Sequence, residues 1–138
     1  MKIRQAKMSD AKELAKIFEI ASHGLAPYFW NKNVTSEKTL QQVAENSMSS
    51  KLSSAAPDTI LIAEQDGKTL GGTLTYDIGG EPEEIGPDMD PVAVPLIELE
   101  NKALNTRYIN ALAVFPEAQG QGVGSALLTK IANLVPDR

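Results

Sequence analysis

Residues Tyr108–Leu134 read YINALAVFPEAQGQGVGSALLTKIANL, and the parsing of this stretch decides the fold. Tyr108, Ile109, Leu112, Val114 and Phe115 form a short β-rich apolar run. Phe115-Pro116 closes it, because proline brings no N–H to a sheet and fixes its own φ. A glycine-rich segment, Gln119-Gly120-Gln121-Gly122-Val123-Gly124, then leads into Ser125. From there Val123, Leu127, Ile131 and Leu134 recur on one face of a helix. The order is strand, turn, glycine loop, helix.

Such a junction suits an anion. The first N–H groups of a helix have no intrahelical partner, and the helix dipole is positive at that end. Glycines let a ligand approach the backbone, so the turn can hold phosphate. A P-loop needs Lys-Ser or Lys-Thr after its last glycine, and Ser125-Ala126 stands there instead. The dinucleotide fingerprint needs glycine or alanine at position 125 and an acidic residue about 20 positions on, which lies past Arg138.

The pattern that fits is Q/R-x-x-G-x-G/A, filled by Gln119, Gly122 and Gly124 after a strand ending L-A-V-x-P. This resembles the acetyl-CoA-binding motif of the GNAT superfamily of N-acetyltransferases. The resemblance implies an α/β (α+β) fold, a mixed and mostly antiparallel sheet flanked by helices. It implies that Leu112, Ala113 and Val114 meet the pantetheine arm. Gln119, Gly120, Gln121, Gly122, Val123, Gly124 and Ser125 would cradle the pyrophosphate of acetyl-CoA, the cosubstrate. The competing interpretation is a strand–loop–helix turn whose glycines only ease packing.

At 138 residues the chain is expected to be one domain, 1–138, large enough for a real core. No run of 18 apolar residues occurs, so no membrane span is expected. The N-terminal MKIRQAKMSD lacks the apolar centre of a signal peptide, and a cytoplasmic location follows as the default. The absence of cysteine excludes disulfides, zinc thiolates and cysteine nucleophiles. A net charge of −5 argues against nucleic acid, which demands a basic footprint; it suits a cationic amine substrate only weakly.

Working outward from the motif, Lys2–Ala6 is expected as a first strand. Ser9 is expected as the N-cap of a helix with Asp10 and Glu13 in its first turn. Ala11, Leu14, Phe18 and Ala21 share a face that Ile17 and Ile20 widen. The segment M-K-I-R-x-A-x-x-x-D-A is similar to the N-terminus of the same superfamily. Gly24 can end this helix and Pro27 should prevent its return. His23–Trp30 holds the only His and the only Trp of the chain. The resemblance implies that this region lines the acceptor pocket, so His23, Tyr28 and Trp30 are candidate substrate residues, with an aromatic wall for a cation as one form of that pocket. The alternative has Phe29 and Trp30 packing on the core and His23 capping the helix.

Thr35 or Ser36 should cap a second helix to about Met48, and the serine-rich stretch Ser47–Pro57 is read as a loop or a frayed helix end. Thr59–Ala63 and Thr69–Tyr76 make a hairpin around the Asp66-Gly67 turn. Gly71-Gly72 points to a bulge or a close backbone approach. The segment IAEQDGKTLGGTL resembles the superfamily's central hairpin. Asp77–Asp90 carries Asp77, Glu81, Glu83, Glu84, Asp88 and Asp90 and no basic residue. It is read as a solvated loop or a lid. EF-hand spacing is absent, so no metal is expected. Leu96, Leu99 and Ala103 are helix-spaced, with Pro95 in a first turn.

The chemistry implied is direct transfer of an acetyl group to a primary amine of a small molecule or protein. An alkylamine holds its proton to about pH 10.4 in water, so a base or water chain must take it. Backbone N–H groups of the Ala111–Val114 strand would stabilise the oxyanion. Many members of the superfamily have a glutamate just before L-A-V; here Asn110 stands there, and an asparagine cannot be the base. The candidate proton acceptors are Glu98 and Glu100, with Asn110 as a positioning group. The superfamily usually adds further strands and a tyrosine-bearing helix after the motif helix, and the chain reaches Arg138 without them. That leaves a sheet edge on which a second copy could pair, giving a homodimer. It also leaves open a relative that binds CoA without catalysing.

Overall fold

The computed structural model describes residues 1–135. Four strands form one antiparallel sheet in the order β1-β2-β3-β4: β1 Lys2–Gln5, β2 Ile60–Gln65, β3 Lys68–Asp77 and β4 Arg107–Val114. Five helices accompany it: α1 Ala11–Ser22, α2 Leu25–Asn31, α3 Leu40–Ser54, α4 Val94–Asn101 and α5 Val123–Leu134. The expected α/β class, an antiparallel sheet flanked by helices, is the observed one.

Two apolar layers sandwich the sheet. On one face Leu14, Ile17 and Phe18 of α1, Trp30 of α2, and Val43, Ala44 and Met48 of α3 pack on Ile60, Ile62, Ala111 and Ala113. On the other, Val123 and Leu127 of α5 pack on Ala63 and Leu70, with Leu112 and Val114 alongside. Alternation along β4 explains the division, since successive side chains point to opposite faces.

The hairpin turns at Asp66 and Gly67, both at positive φ (53° and 77°), the requirement of a tight two-residue turn whose twist matches the strands. Leu70 is the unmatched residue between the Ala63–Gly71 and Glu64–Thr69 pairs, so it bulges and turns into the α5-side core. Beside it a Cβ on Gly71 would lie 2.5 Å from the Ala113 carbonyl oxygen, and one on Gly72 2.9 Å from that of Leu61. Here the bulge and the close approach occur together.

Several local expectations are corrected. The first helix is not capped by Ser9. Met8–Asp10 form a 3-10 turn, and the Asp10 carboxylate accepts from the Lys7 N–H at 2.7 Å. Pro27 does not prevent the helix returning, because it is the third residue of α2, where an N–H has no helical partner to lose. Neither Thr35 nor Ser36 caps α3. Thr39 does, its hydroxyl accepting from Gln42 N–H while the Gln42 side chain accepts from Thr39 N–H. That helix runs on through the serine-rich segment to Ser54, where Ser53 and Ser54 hydroxyls donate back to the Ser50 carbonyl. Ile20 is 41% exposed and does not widen the buried face of α1.

Asp10 also makes two hydrogen bonds with Arg4, at 2.8 and 2.9 Å, and Arg4 Nε lies 3.0 Å from Glu64 without hydrogen-bond alignment. The Arg4 pair, despite the cost of burial, holds the Asp10 carboxyl below the usual carboxylate range. A depressed folded-state pKa contributes stability that is present above the unfolded value, near pH 4, and is lost as pH falls through the folded value. Asp10→Asn is expected to cost about 2–3 kcal/mol at pH 7, as hydrogen bonds to a charged group do. Urea unfolding of the two proteins should converge as pH drops below about 4. A difference that persists undiminished in acid would deny the pair this role.

Candidate active site

β4 is covered by β3 on one side only among the described residues. Phe115 N–H donates to the Leu70 carbonyl, so the alternation of an antiparallel strand turns Ala111 and Ala113 toward β3. Leu112 and Val114 therefore present their backbone N–H and C=O groups at the uncovered edge. Gln119 Nε2 reaches the Val114 carbonyl there, at 3.5 Å.

The glycine loop follows directly. Gly120 and Gly122 hold φ of 79° and 80°, conformations that side chains resist. Among the described residues, the first loop amide to find a protein acceptor after Gln119 is that of Ala126, which donates to Gly122. The N–H groups of Gly120 to Ser125 thus have no acceptor among the described residues, and Gly120, Gln121, Gly122 and Ser125 are exposed. Gln119 differs from this expectation: its N–H donates within its own turn, to Pro116, at 3.4 Å. Val123, 2% exposed, anchors the loop from below, and a Cβ on Gly124 would touch Val114 at 3.8 Å. The unspent amides therefore sit beside the C-terminal end of β4.

Midway along β4 the register slips. Leu74 faces Ala111 and Thr75 faces Ile109, leaving Asn110 unmatched as a bulge. Two fully buried threonines flank it. Thr73 Oγ1 donates to the Ala111 carbonyl at 2.7 Å and Thr75 Oγ1 to that of Tyr108 at 2.8 Å. Arg107 steadies the same end, donating to Thr75 Oγ1 and to the Asp58 carbonyl. The bulge exposes the Asn110 side chain and points it into a cleft.

That cleft, about 960 Å³, opens between α1, α2, α3 and the Asn110–Ala111 bend. Phe18, Trp30, Val43 and Met48 give it apolar walls, and Leu96 of α4 closes one side. Trp30 is both core and lining. His23 and Tyr28 are not brought there. His23 ends α1 in a left-handed conformation (φ 51°), exposed. Tyr28 is 43% exposed outside the cleft, with the Lys32 ammonium 4.9 Å from its ring centroid. A helix carries neighbours two residues apart on different faces, so Tyr28 and Trp30 cannot share a wall.

The two candidate carboxylates separate in the same way. Glu98 is exposed on α4. Glu100 lies one turn on from Leu96 but is not part of the cleft lining, and it accepts from the Tyr76 hydroxyl at 2.5 Å. Burial, and then the Glu100 carboxylate, push the Tyr76 phenol well above its ordinary value, while Asn110 beside it pulls the other way. Burial raises Tyr108 as well, with Glu100 adding to it, and the two rings are 5.8 Å apart. Tyr76 had no signal in the sequence: it is 24 residues from Glu100 and 34 from Asn110, and only sheet pairing joins them.

The sequence model described as "Acetyltransferase (GNAT) family" matches residues 19–138. No curated protein matches. Among solved structures, an N-acetyltransferase from Staphylococcus aureus Mu50 superposes with a TM-score of 0.59 at 20% identity, covering 98% of this chain and 76% of its own. The Drosophila melanogaster polyamine N-acetyltransferase, described as forming N-acetylagmatine, gives 0.61 at 15% identity, covering 96% and 69%. A ribosomal-protein-alanine N-acetyltransferase from Brucella melitensis biovar Abortus 2308 gives 0.54 at 18%, covering 96% and 69%. At these identities the likeness is one of fold.

Proposed function

The chain belongs to the acetyltransferase (GNAT) family, and from that premise we propose that it moves an acetyl group from acetyl-CoA to a primary amine by direct transfer. The observation that carries this reading is the row of unspent amides from Gly120 to Ser125 beside the uncovered backbone of Leu112 and Val114. A diphosphate satisfies the first group, and an amide-bearing arm satisfies the second as an added strand would. Acetyl-CoA supplies both, together with the thioester: the amine nitrogen bonds to its carbonyl carbon, the C–S bond breaks, and CoA leaves as the thiol.

Within this reading Trp30 and Leu96 line the acceptor's path, and Asn110 orients the amine or a water beside it. Glu100, rather than Glu98, takes the amine proton through that water. Tyr76 holds the Glu100 carboxylate in one rotamer by donating to it. A second reading, CoA binding without turnover, is favoured by one observation: the bulge carries an asparagine, which accepts no proton at neutral pH.

Two measurements separate them. Saturating acetyl-CoA, at a hundred times its Kd, should stabilise the protein by about 2.7 kcal/mol and raise Tm by roughly 8 °C. Thiol release over a panel of amines should then exceed hydrolysis. A shift without release for any amine selects the second reading; the absence of any shift removes both.

A further inference from the structure

The cleft has a charge character opposite to that of the whole chain. The protein carries 18 acidic and 13 basic residues, yet no carboxylate among the described residues lines this cavity. Its charged lining groups are Lys38 and Lys51. Neither ammonium has an ion-pair partner among the described residues, although carboxylates outnumber cations. The remaining polar lining includes Asn33, Asn46, Ser47 and Ser50, groups that can donate hydrogen bonds to an anion. Lys38 precedes α3 and Lys51 lies in its last turn, so the helix rise sets them on the order of 18 Å apart along the cleft.

Resting on the acetyl-transfer reading above, we propose that the acceptor is an amine bearing an anionic group, a carboxylate or a phosphate, at a distance from the reacting nitrogen. A polycation would bring its far ammonium against two lysines, because the one carboxylate of the proposed mechanism, Glu100, lies outside the lining at the reacting end. An amine with an anionic far end meets a lysine there and leaves its nitrogen on the apolar side, near Asn110 and Trp30. The acidic segment 77–90 does not reverse this. Its Asp90 is paired with Lys32, the residue that follows α2, and none of its carboxylates reaches the lining. The alternative role for Lys51, a cation complementing the C-terminal end of α3, concerns stability and not acceptor choice.

The test compares butylamine, diaminobutane, aminobutanoate and aminobutylphosphonate, which place a methyl, ammonium, carboxylate or phosphonate at the end opposite the amine. Trp30 is the only tryptophan and lines the cleft, so its fluorescence reports occupancy without turnover. The carboxylate or phosphonate compound should bind at least fivefold more tightly than butylamine, and diaminobutane more weakly. The better of the two anions identifies the natural end group. Lys38→Ala and Lys51→Ala should each erode this preference roughly two- to fivefold, and the double Lys→Glu variant should reverse it in favour of diaminobutane. Both side chains are exposed, so the variants keep the fold, and the acetyl-CoA thermal shift should persist in all of them. That shift failing in the unaltered protein removes the acetyl-transfer reading. The shift persisting while all four compounds bind alike, or none binds, or the Lys→Glu variant keeps the original order, overturns the anionic acceptor.

Discussion

Gly122→Glu is expected to abolish the stabilisation by acetyl-CoA while leaving the protein folded. Gly122 stands at φ 80° immediately before α5, and nothing lies within 4 Å of where its Cβ would be. The fold therefore loses only the cost of a left-handed residue, about 1–2 kcal/mol. The ligand loses far more. The new carboxylate projects into the space the diphosphate would occupy, next to amides that otherwise have no acceptor. Repulsion there, added to the blocked approach, should weaken binding by more than about a hundredfold, so that a shift of roughly 8 °C falls below detection. Gly122→Asn separates the two effects, because asparagine tolerates the left-handed region and brings no charge. It should retain a clear shift. Equal loss in the two variants would mean that strain alone is responsible; an undiminished shift in Gly122→Glu would place the ligand elsewhere.

How far the sequence anticipates the fold depends on whether the deciding interaction is local. The motif helix was legible because Val123, Leu127 and Ile131 repeat at helical spacing, and all three are buried. The hairpin was legible because Asp66-Gly67 can adopt two positive φ angles in succession. Segment 49–54 reads as a loop or a frayed helix end because serines carry no apolar period, yet their hydroxyls bond back to helix carbonyls and the helix continues. Pro27 reads as a stop, although in a first turn it costs nothing. The site divides along the same line. The unspent amides of Gly120–Ser125 follow from residues adjacent in the chain. The bulge at Asn110 depends on how β4 pairs with β3, and so does the approach of Tyr76 to Glu100. Neither pairing leaves a mark in the local pattern. The resemblance places His23 and Tyr28 with Trp30, and of the three only Trp30 lines the cleft, because the end of α1 and the outer face of α2 carry the other two away from it.

Glu100→Gln is expected to lower the rate of thiol release by about a hundredfold, the scale of one general base, with no change in the acetyl-CoA thermal shift. Glutamine has the shape of glutamate and its amide oxygen still accepts from the Tyr76 hydroxyl, so the change removes basicity and little else. Glu98→Gln, on the exposed side of α4, should leave the rate within twofold, about the size of a surface charge effect. Tyr76→Phe removes the donor that fixes the carboxylate. The freed rotamers of Glu100 should lower the rate by roughly tenfold, since misplacing a catalytic group costs orientation and not chemistry. The double variant discriminates between mechanisms. If Tyr76 acts through Glu100, adding Tyr76→Phe to Glu100→Gln costs almost nothing more, because the group it positions no longer takes a proton. If Tyr76 donates its own proton to the leaving sulfur, the two losses multiply. Burial and the adjacent carboxylate keep that phenol protonated across the working pH range, so both outcomes are chemically available. Full activity in Glu100→Gln would move the proton acceptor off α4 altogether and leave the bulge at Asn110, with solvent, to do the work.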